Sequence, residues 1–230
     1  MSGRGTPAFF ETSGGEGIHR IPLEVFPDFW AYVYVVMAGD HWILIDSGSG
    51  TDTSHENLLS GLQQVGVEPS SLTHILLTHA HIDHYGGLVK LRPLTNAKIV
   101  VHELDVQTVA DHEVRLAHTS RHLDSFLAGT GLVEETRADI LNIYRYAKAS
   151  YRSIPVDLTY EALGMKLGHL EFIHLPGHCP GHVAIRLDDV IFCGDTVVVG
   201  VTPHLSPESI NSYSGLGRYL DSLARFQRWA

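Results

Sequence analysis

The sequence predicts an α/β fold with a layered core. Three observations carry this. Short aliphatic and β-branched runs alternate with a helix-period segment in the N-terminal half, polar turns punctuate the runs, and 44% of residues are apolar against 18% charged, enough for a sizeable core.

In chain order, residues 1–16 are rich in Gly, Ser and Thr and are expected to be flexible, with one folded domain spanning 17–230. Strand-like runs follow at Gly17 to Leu23, Ala31 to Met37 and Trp42 to Ile45, with Gly39-Asp40 as a tight hairpin turn. After the loop Asp46-Ser47-Gly48-Ser49-Gly50, a helix is expected from about Ser54 to Val65, with Leu58, Leu59, Leu62 and Val65 on one face. His74 to Thr78 reads as a buried strand, Gly87 to Leu91 as a short helix and Lys98 to His102 as a strand. Residues 103–152 change character and are helical, broken at Gly129-Thr130-Gly131. They are read as a helical insertion covering one side of the core, with ordinary helices of the layered fold as the alternative. Strand character returns at Leu158 to Tyr160, Met165 to Leu167, Leu170 to Leu175, Val183 to Leu187 and Val190 to Cys193. The end is a loop and an amphipathic helix carrying Leu216, Leu220, Leu223 and Phe226.

A length of 230 residues allows one large domain or two small ones, and no repeat or clean linker divides the chain. The net charge of −10 argues against a general electrostatic grip on nucleic acid. The longest apolar run, Trp30 to Ala38, is too short to span a bilayer, and Met1 to Gly17 reads as neither signal peptide nor anchor. Cys179 and Cys193 make no disulfide framework, so a reduced, cytoplasmic setting is expected. The partner expected is a small-molecule substrate; oligomeric state is not readable.

Chemistry concentrates in Thr78-His79-Ala80-His81-Ile82-Asp83-His84-Tyr85-Gly86-Gly87, directly after an apolar run. Imidazole nitrogen and carboxylate oxygen bind zinc and similar ions, and four such groups at one strand end can serve two ions but crowd one. Residues two apart in an extended segment point the same way, so His79 and His81 can reach one ion, while Asp83 and His84 on the following turn can reach a neighbour. Gly86-Gly87 lets the chain pass close to the site. Two further segments offer partners past strand ends: Pro176-Gly177-His178-Cys179-Pro180-Gly181-His182, and Cys193-Gly194-Asp195-Thr196. No Gly-x-Ser-x-Gly elbow is present.

The order and spacing of these pieces resemble the metallo-β-lactamase superfamily over roughly Gly17 to Thr202. Asp46 matches that family's early Asp. His79, His81, Asp83 and His84 match its His-x-His-x-Asp-His cluster, His178 its lone His in a Gly/Pro loop, and Asp195 its bridging Asp. The resemblance implies a four-layer αβ/βα sandwich with the metals at one edge between two mixed sheets. One ion would take His79, His81 and His178, and the other Asp83 and His84. Asp195 would lie between them, and Asp46 would orient the cluster rather than bind metal. The cofactors implied are two divalent ions, zinc by default from the donor chemistry, with iron or manganese also accepted.

The match departs from the family at its last His. After Asp195 the chain offers only His204, which reads as part of a substrate-side loop. The preferred reading is a truncated piece of a longer protein, lacking its last strand and helix; the rival is a complete variant using one ion or a borrowed ligand. Cys179 stands where the family has Thr and reads as a small buried residue. The expected reaction is attack by metal-bound hydroxide on an acyl carbon of a thioester, lactone or related ester or amide, with Asp83 orienting the hydroxide or moving a proton. The motifs look most like glyoxalase II-like and lactonase-like members. Arg115, Arg121, Arg145 and Arg152 are candidate cations for a carboxylate-bearing substrate. The alternatives are a phosphodiesterase or nuclease of the same fold, or a catalytically weak metal-binding relative.

Overall fold

Alternating side-chain direction sorts the apolar residues of each central strand onto two faces, and each face has its own core. The computed structural model describes residues 5–149 and 151–230. Strands β1 (Ala8–Glu11), β2 (Gly17–Phe26), β3 (Phe29–Ala38) and β4 (His41–Ile45) form an antiparallel meander. β5 (Leu72–Leu76), β6 (Lys98–Val101) and β7 (Leu158–Thr159) extend it in parallel, giving a seven-stranded mixed sheet in sequential order. β8 (Lys166–Leu167), β9 (Leu170–His174), β10 (Val183–Leu187) and β11 (Val190–Phe192) form a four-stranded antiparallel sheet.

Leu44, Ile75, Ile99 and Val101 face the outer helices with Leu58 and Leu62 of α1 (Asp52–Gln64). Ile43, Ile45, Leu76 and Val100 face the other way, onto Phe172, Val183, Ile185 and Leu187 of the second sheet. Thr51 caps α1, its side chain accepting from the Ser54 N–H at 3.2 Å. Two short helices, α2 (Ile82–Tyr85) and α3 (Leu88–Leu91), follow β5. The block expected to be helical carries α4 (Val106–Ala110), α5 (His112–Ala128) and α6 (Glu134–Lys148). The last helix, α7 (Leu216–Trp229), lies against the second sheet, with Arg225 donating to His174 O and Arg186 to Trp229 O. Helices, sheet, sheet and helix make the expected four layers.

Three expectations need correction. Residues 8–11, inside the segment expected to be flexible, are a strand paired to β2. Phe9 and Phe10 stay exposed, so ladder hydrogen bonds hold this edge, and apolar patterning cannot report those. In the helical block, Val114 and Ile143 point to solvent, while Ser120, Leu127 and Leu141 are buried. In α7 the apolar stripe is only partly packed, with Leu223 and Phe226 half-buried. Leu216 and Leu220 are exposed, whereas buried Ser222 donates to Pro176 O at 2.6 Å and Tyr219 to Thr196 O at 2.8 Å.

Candidate metal centre

The site forms where the ends of β5 and β10 meet, joined by the Val183 N–H donating to Thr78 O at 2.8 Å. Asp46, just past β4, adopts φ 61° and turns its carboxylate under Thr78. It accepts from the Thr78 N–H and hydroxyl, both at 2.8 Å, and from His84 Nδ1 at 2.8 Å. The turn after the cluster lies against the loop beyond β4. A Cβ at Gly87 would stand 2.0 Å from Ser47 O, and one at Gly86 2.4 Å from Ser49 O. Both glycines are required by close approach, not by a positive φ.

The hydrogen-bond network assigns the tautomers. Asp46 can only accept from His84 Nδ1–H. Thr78 Oγ1 gives its proton to Asp46 and so accepts from His79 Nδ1 at 3.1 Å. His178 Nδ1–H donates to His204 O at 2.7 Å. The Nε2 atoms of His79, His84 and His178 therefore point to the interior, where His81 Nδ1 lies 3.0 Å from His79 Nε2. His204 contributes through its backbone; its own ring is exposed and contacts Ser206.

Asp195 spans the cluster. Its Oδ2 is 3.4 Å from His178 Nε2 and 3.9 Å from His79 Nε2, while its Oδ1 is 3.5 Å from His84 Nε2, which lies 3.8 Å from Asp83 Oδ2. His79, His81, His178 and Asp195 each offer a ligand atom within 4.8 Å of the others. The donor set fits a divalent cation. His178 Nε2 is buried without a hydrogen-bond partner among the described residues, and two ring nitrogens face each other across the His79–His81 contact.

Electrostatics agree with this arrangement. Burial, reinforced by neighbouring imidazoles, holds His79 and His81 well below the usual histidine range, so both are neutral donors. Burial would also lower His84, but Asp46, Asp195 and Asp83 outweigh it and raise the ring well above that range, so a cation binding at its Nε2 would have to displace a proton. Burial would raise Asp195, yet His178 and His84 hold it well below the usual carboxylate range.

Residues behind the cluster were less legible. His182, in the same loop as His178, is buried and stacked 5.0 Å from His79, and burial pushes it down to about 3. Its Nε2 accepts from the Asp195 N–H at 3.0 Å, and a Cβ at Gly194 (φ +49°) would meet that nitrogen at 2.7 Å. Asp105 escaped sequence reasoning. Fully buried, it accepts from the N–H of Ala80 at 2.9 Å and of Gly181 at 3.0 Å, and its Oδ2 lies 3.8 Å from Cys179 Sγ. Its only signal was a carboxylate just past a strand, the same one that marked Asp46 and Asp195. Cys179 is buried, as expected.

A cavity of about 410 Å³ opens beside His81, walled by α5, α6 and the loop from His204 to Asn211. Of the four arginines singled out, Arg115 lines it; Arg121, Arg145 and Arg152 are exposed elsewhere. His112 lines it too, fixed by Tyr85 Oη at 2.6 Å and Lys148 O at 3.0 Å. Among the described residues no helix is long and apolar enough to cross a membrane.

Comparison with known proteins agrees with the geometry. The sequence pattern of the metallo-beta-lactamase superfamily matches residues 30–226. The chain is 26% identical over 201 residues to a metallo-beta-lactamase fold-containing protein of Sulfurisphaera tokodaii, covering 81% of this chain and 67% of that protein. It is 24% identical over 179 residues to a hydroxyacylglutathione hydrolase of Shewanella halifaxensis, covering 78% of this chain and 51% of the enzyme. The chain thus spans about half the length of the hydroxyacylglutathione hydrolases it matches. Among solved structures, a metallo-beta-lactamase family protein of Thermus thermophilus shares the fold with a TM-score of 0.67 at 23% identity, over 90% of this chain and 68% of that one.

Proposed function

Because the chain belongs to the metallo-beta-lactamase superfamily, we propose that it is a metal-dependent hydrolase of small acyl compounds: thioesters, lactones or related esters and amides. His79, His81 and His178 hold one divalent ion, Asp83 and His84 the other, and Asp195 joins the two. Zinc is the proposed metal, since four of the five terminal donors are imidazoles and the fifth is a carboxylate. Bound there, the ions would supply a water acidic enough to lose its proton near neutral pH and a positive centre for the developing oxyanion.

The chain's own residues do the rest. Asp46 holds His84, and through Thr78 also His79, in the tautomer that aims Nε2 inward. The His204 carbonyl does the same for His178. Asp83, whose side chain is 20% exposed, can exchange with solvent and is proposed to pass a proton to the leaving group at Oδ2. Two free thiols, Cys179 and Cys193, suit a reducing, cytoplasmic setting.

The observation that carries this reading is the convergence of His79, His81, His178 and Asp195, drawn from distant segments, with the buried His178 Nε2 otherwise unpartnered. Metal analysis and a panel of thioester, lactone, nitrocefin-type β-lactam and phosphodiester reporters test it. Bound divalent ion and turnover of an acyl reporter, abolished by His81→Ala, are expected. A folded protein that takes up no divalent ion, or one that turns over only the phosphodiester, would overturn it.

A further inference from the structure

The cavity beside His81 has a composition that the proposed reaction does not require. Its volume, about 410 Å³, suits a small molecule. Leu116, Leu123, Phe126 and Ile210 give it an apolar wall, and Arg115 and Lys148 bring two cations to it. Among the described residues, neither cation takes part in an ion pair. Arg115 Nη2 donates to the neutral Asn211 Oδ1 at 2.5 Å, and Lys148 Nζ donates to Tyr144 Oη at 3.3 Å while standing 4.6 Å from that ring's centre. Asp105 also borders the cavity and feels the charge of Arg115, but the two form no salt bridge; its oxygens accept from the N–H groups of Ala80 and Gly181. In a chain of net charge −10, two cations that form no salt bridge, set against one buried carboxylate, leave this cleft with a positive wall that can attract an anion.

The two chemistries are separated along α5. At 1.5 Å per residue, Leu123 and Phe126 lie roughly 12 and 16 Å along the helix from Arg115. Arg115 sits at the end that shares Asp105 and Asn211, and the apolar wall continues away from it.

Resting on the hydrolase reading above, we propose that the cleft selects amphipathic anions: acyl compounds with an apolar chain of several carbons and a carboxylate close to the scissile bond. Arg115 and Lys148 hold the carboxylate, and Leu116, Leu123, Phe126 and Ile210 hold the chain.

The test compares two thioesters of equal acyl length on the metal-loaded protein: hexanoyl mercaptopropionate, which is anionic, and hexanoyl N-acetylcysteamine, which is neutral. The anionic thioester should have a kcat/KM at least about tenfold higher, as expected for a charge-assisted contact. Arg115→Gln with Lys148→Gln should remove that preference by raising KM for the anionic compound. Lys148→Gln alone, which gives up the bond to Tyr144 and the contact with its ring, should remove part of it. A second arm needs no turnover. The uncleavable thioether hexylthiopropionate is titrated calorimetrically into the same proteins and should bind the double variant about tenfold more weakly. Binding that is indifferent to the double variant means the carboxylate sits elsewhere and overturns the assignment, as do equal kcat/KM values for the two thioesters. If no thioester is cleaved but the thioether binds through Arg115 and Lys148, the cleft assignment stands and the reaction falls.

Discussion

Asp105 ties the two halves of the cluster together from behind. Its Oδ2 accepts from Ala80, between His79 and His81, and its Oδ1 from Gly181, three residues after His178. Replacing it with Asn puts an amide NH2 against one of those N–H groups, which should loosen the His79–His81–His178 geometry. Loss of such an outer partner typically costs about 10–100-fold in metal affinity. Chelator competition on Asp105→Asn should show a loss of that order, and an unchanged affinity would deny the residue this role. Asp105 also carries a pH signature. Burial lifts its carboxyl to about 6 against the opposing pull of its hydrogen bonds, whereas an unfolded Asp titrates near 3.9. Between those values the native state binds the proton more tightly. Its contribution to stability is therefore present at low pH and is lost as pH rises through about 6, by on the order of 3 kcal/mol. Urea midpoints of wild type minus Asp105→Asn should fall over that window; a flat difference would contradict the shift. The proposed ligands His79, His81, Asp83 and His84 were legible because they crowd one strand end. Asp105 was not, because one acid after a strand looks like any turn residue until the chain closes over it.

Elements were readable where one face is buried and opaque where hydrogen bonds do the packing. Alternation of Ile43, Leu44 and Ile45 between two cores is a period-two signal that survives in the sequence. Part of the contact of α7 is made by Tyr219, Ser222 and Arg225, whose bonds to Thr196, Pro176 and His174 have no apolar pattern to betray them. The turn after α2 is legible in kind, through Gly86-Gly87, but its reason is the carbonyl of Ser47 pressed against it. Gly87→Ala forces a methyl into that carbonyl, so the loops beyond β4 and α2 must separate. An overpacked buried position costs typically about 1–3 kcal/mol, and here the displaced loop also carries His84 and its partner Asp46. Denaturant unfolding should show a loss in that range together with weaker metal binding, whereas Gly66→Ala, whose Cβ would meet nothing within 4 Å but whose φ is +74°, should cost stability without touching the metal.

At the scale of the whole molecule, the cluster draws on both sheets. His79, His81, Asp83 and His84 follow β5 of the first sheet, His178 lies between β9 and β10, and Asp195 follows β11 of the second. The two sheets already share a core, but Ile18, Phe172, Val183 and Phe192 supply contacts without direction, and such packing does not by itself set the distance between His79 and His178. Cations bound across that gap would fasten the sheets at their open edge and bind only the folded state, so they add stability by mass action, about 2.7 kcal/mol at a free-ion concentration 100 times Kd. Stripping the metal should therefore lower Tm, and readdition should restore it in proportion to the logarithm of ion concentration. His178→Ala, which removes the second sheet's imidazole, should abolish most of that increment; because the buried ring also bonds to His204 O and lies 3.4 Å from Asp195, the increment is read against the variant's own stripped Tm. If ions raise the Tm of His178→Ala as much as that of wild type, the second sheet's imidazole holds none, and the division of ligands between the halves is wrong.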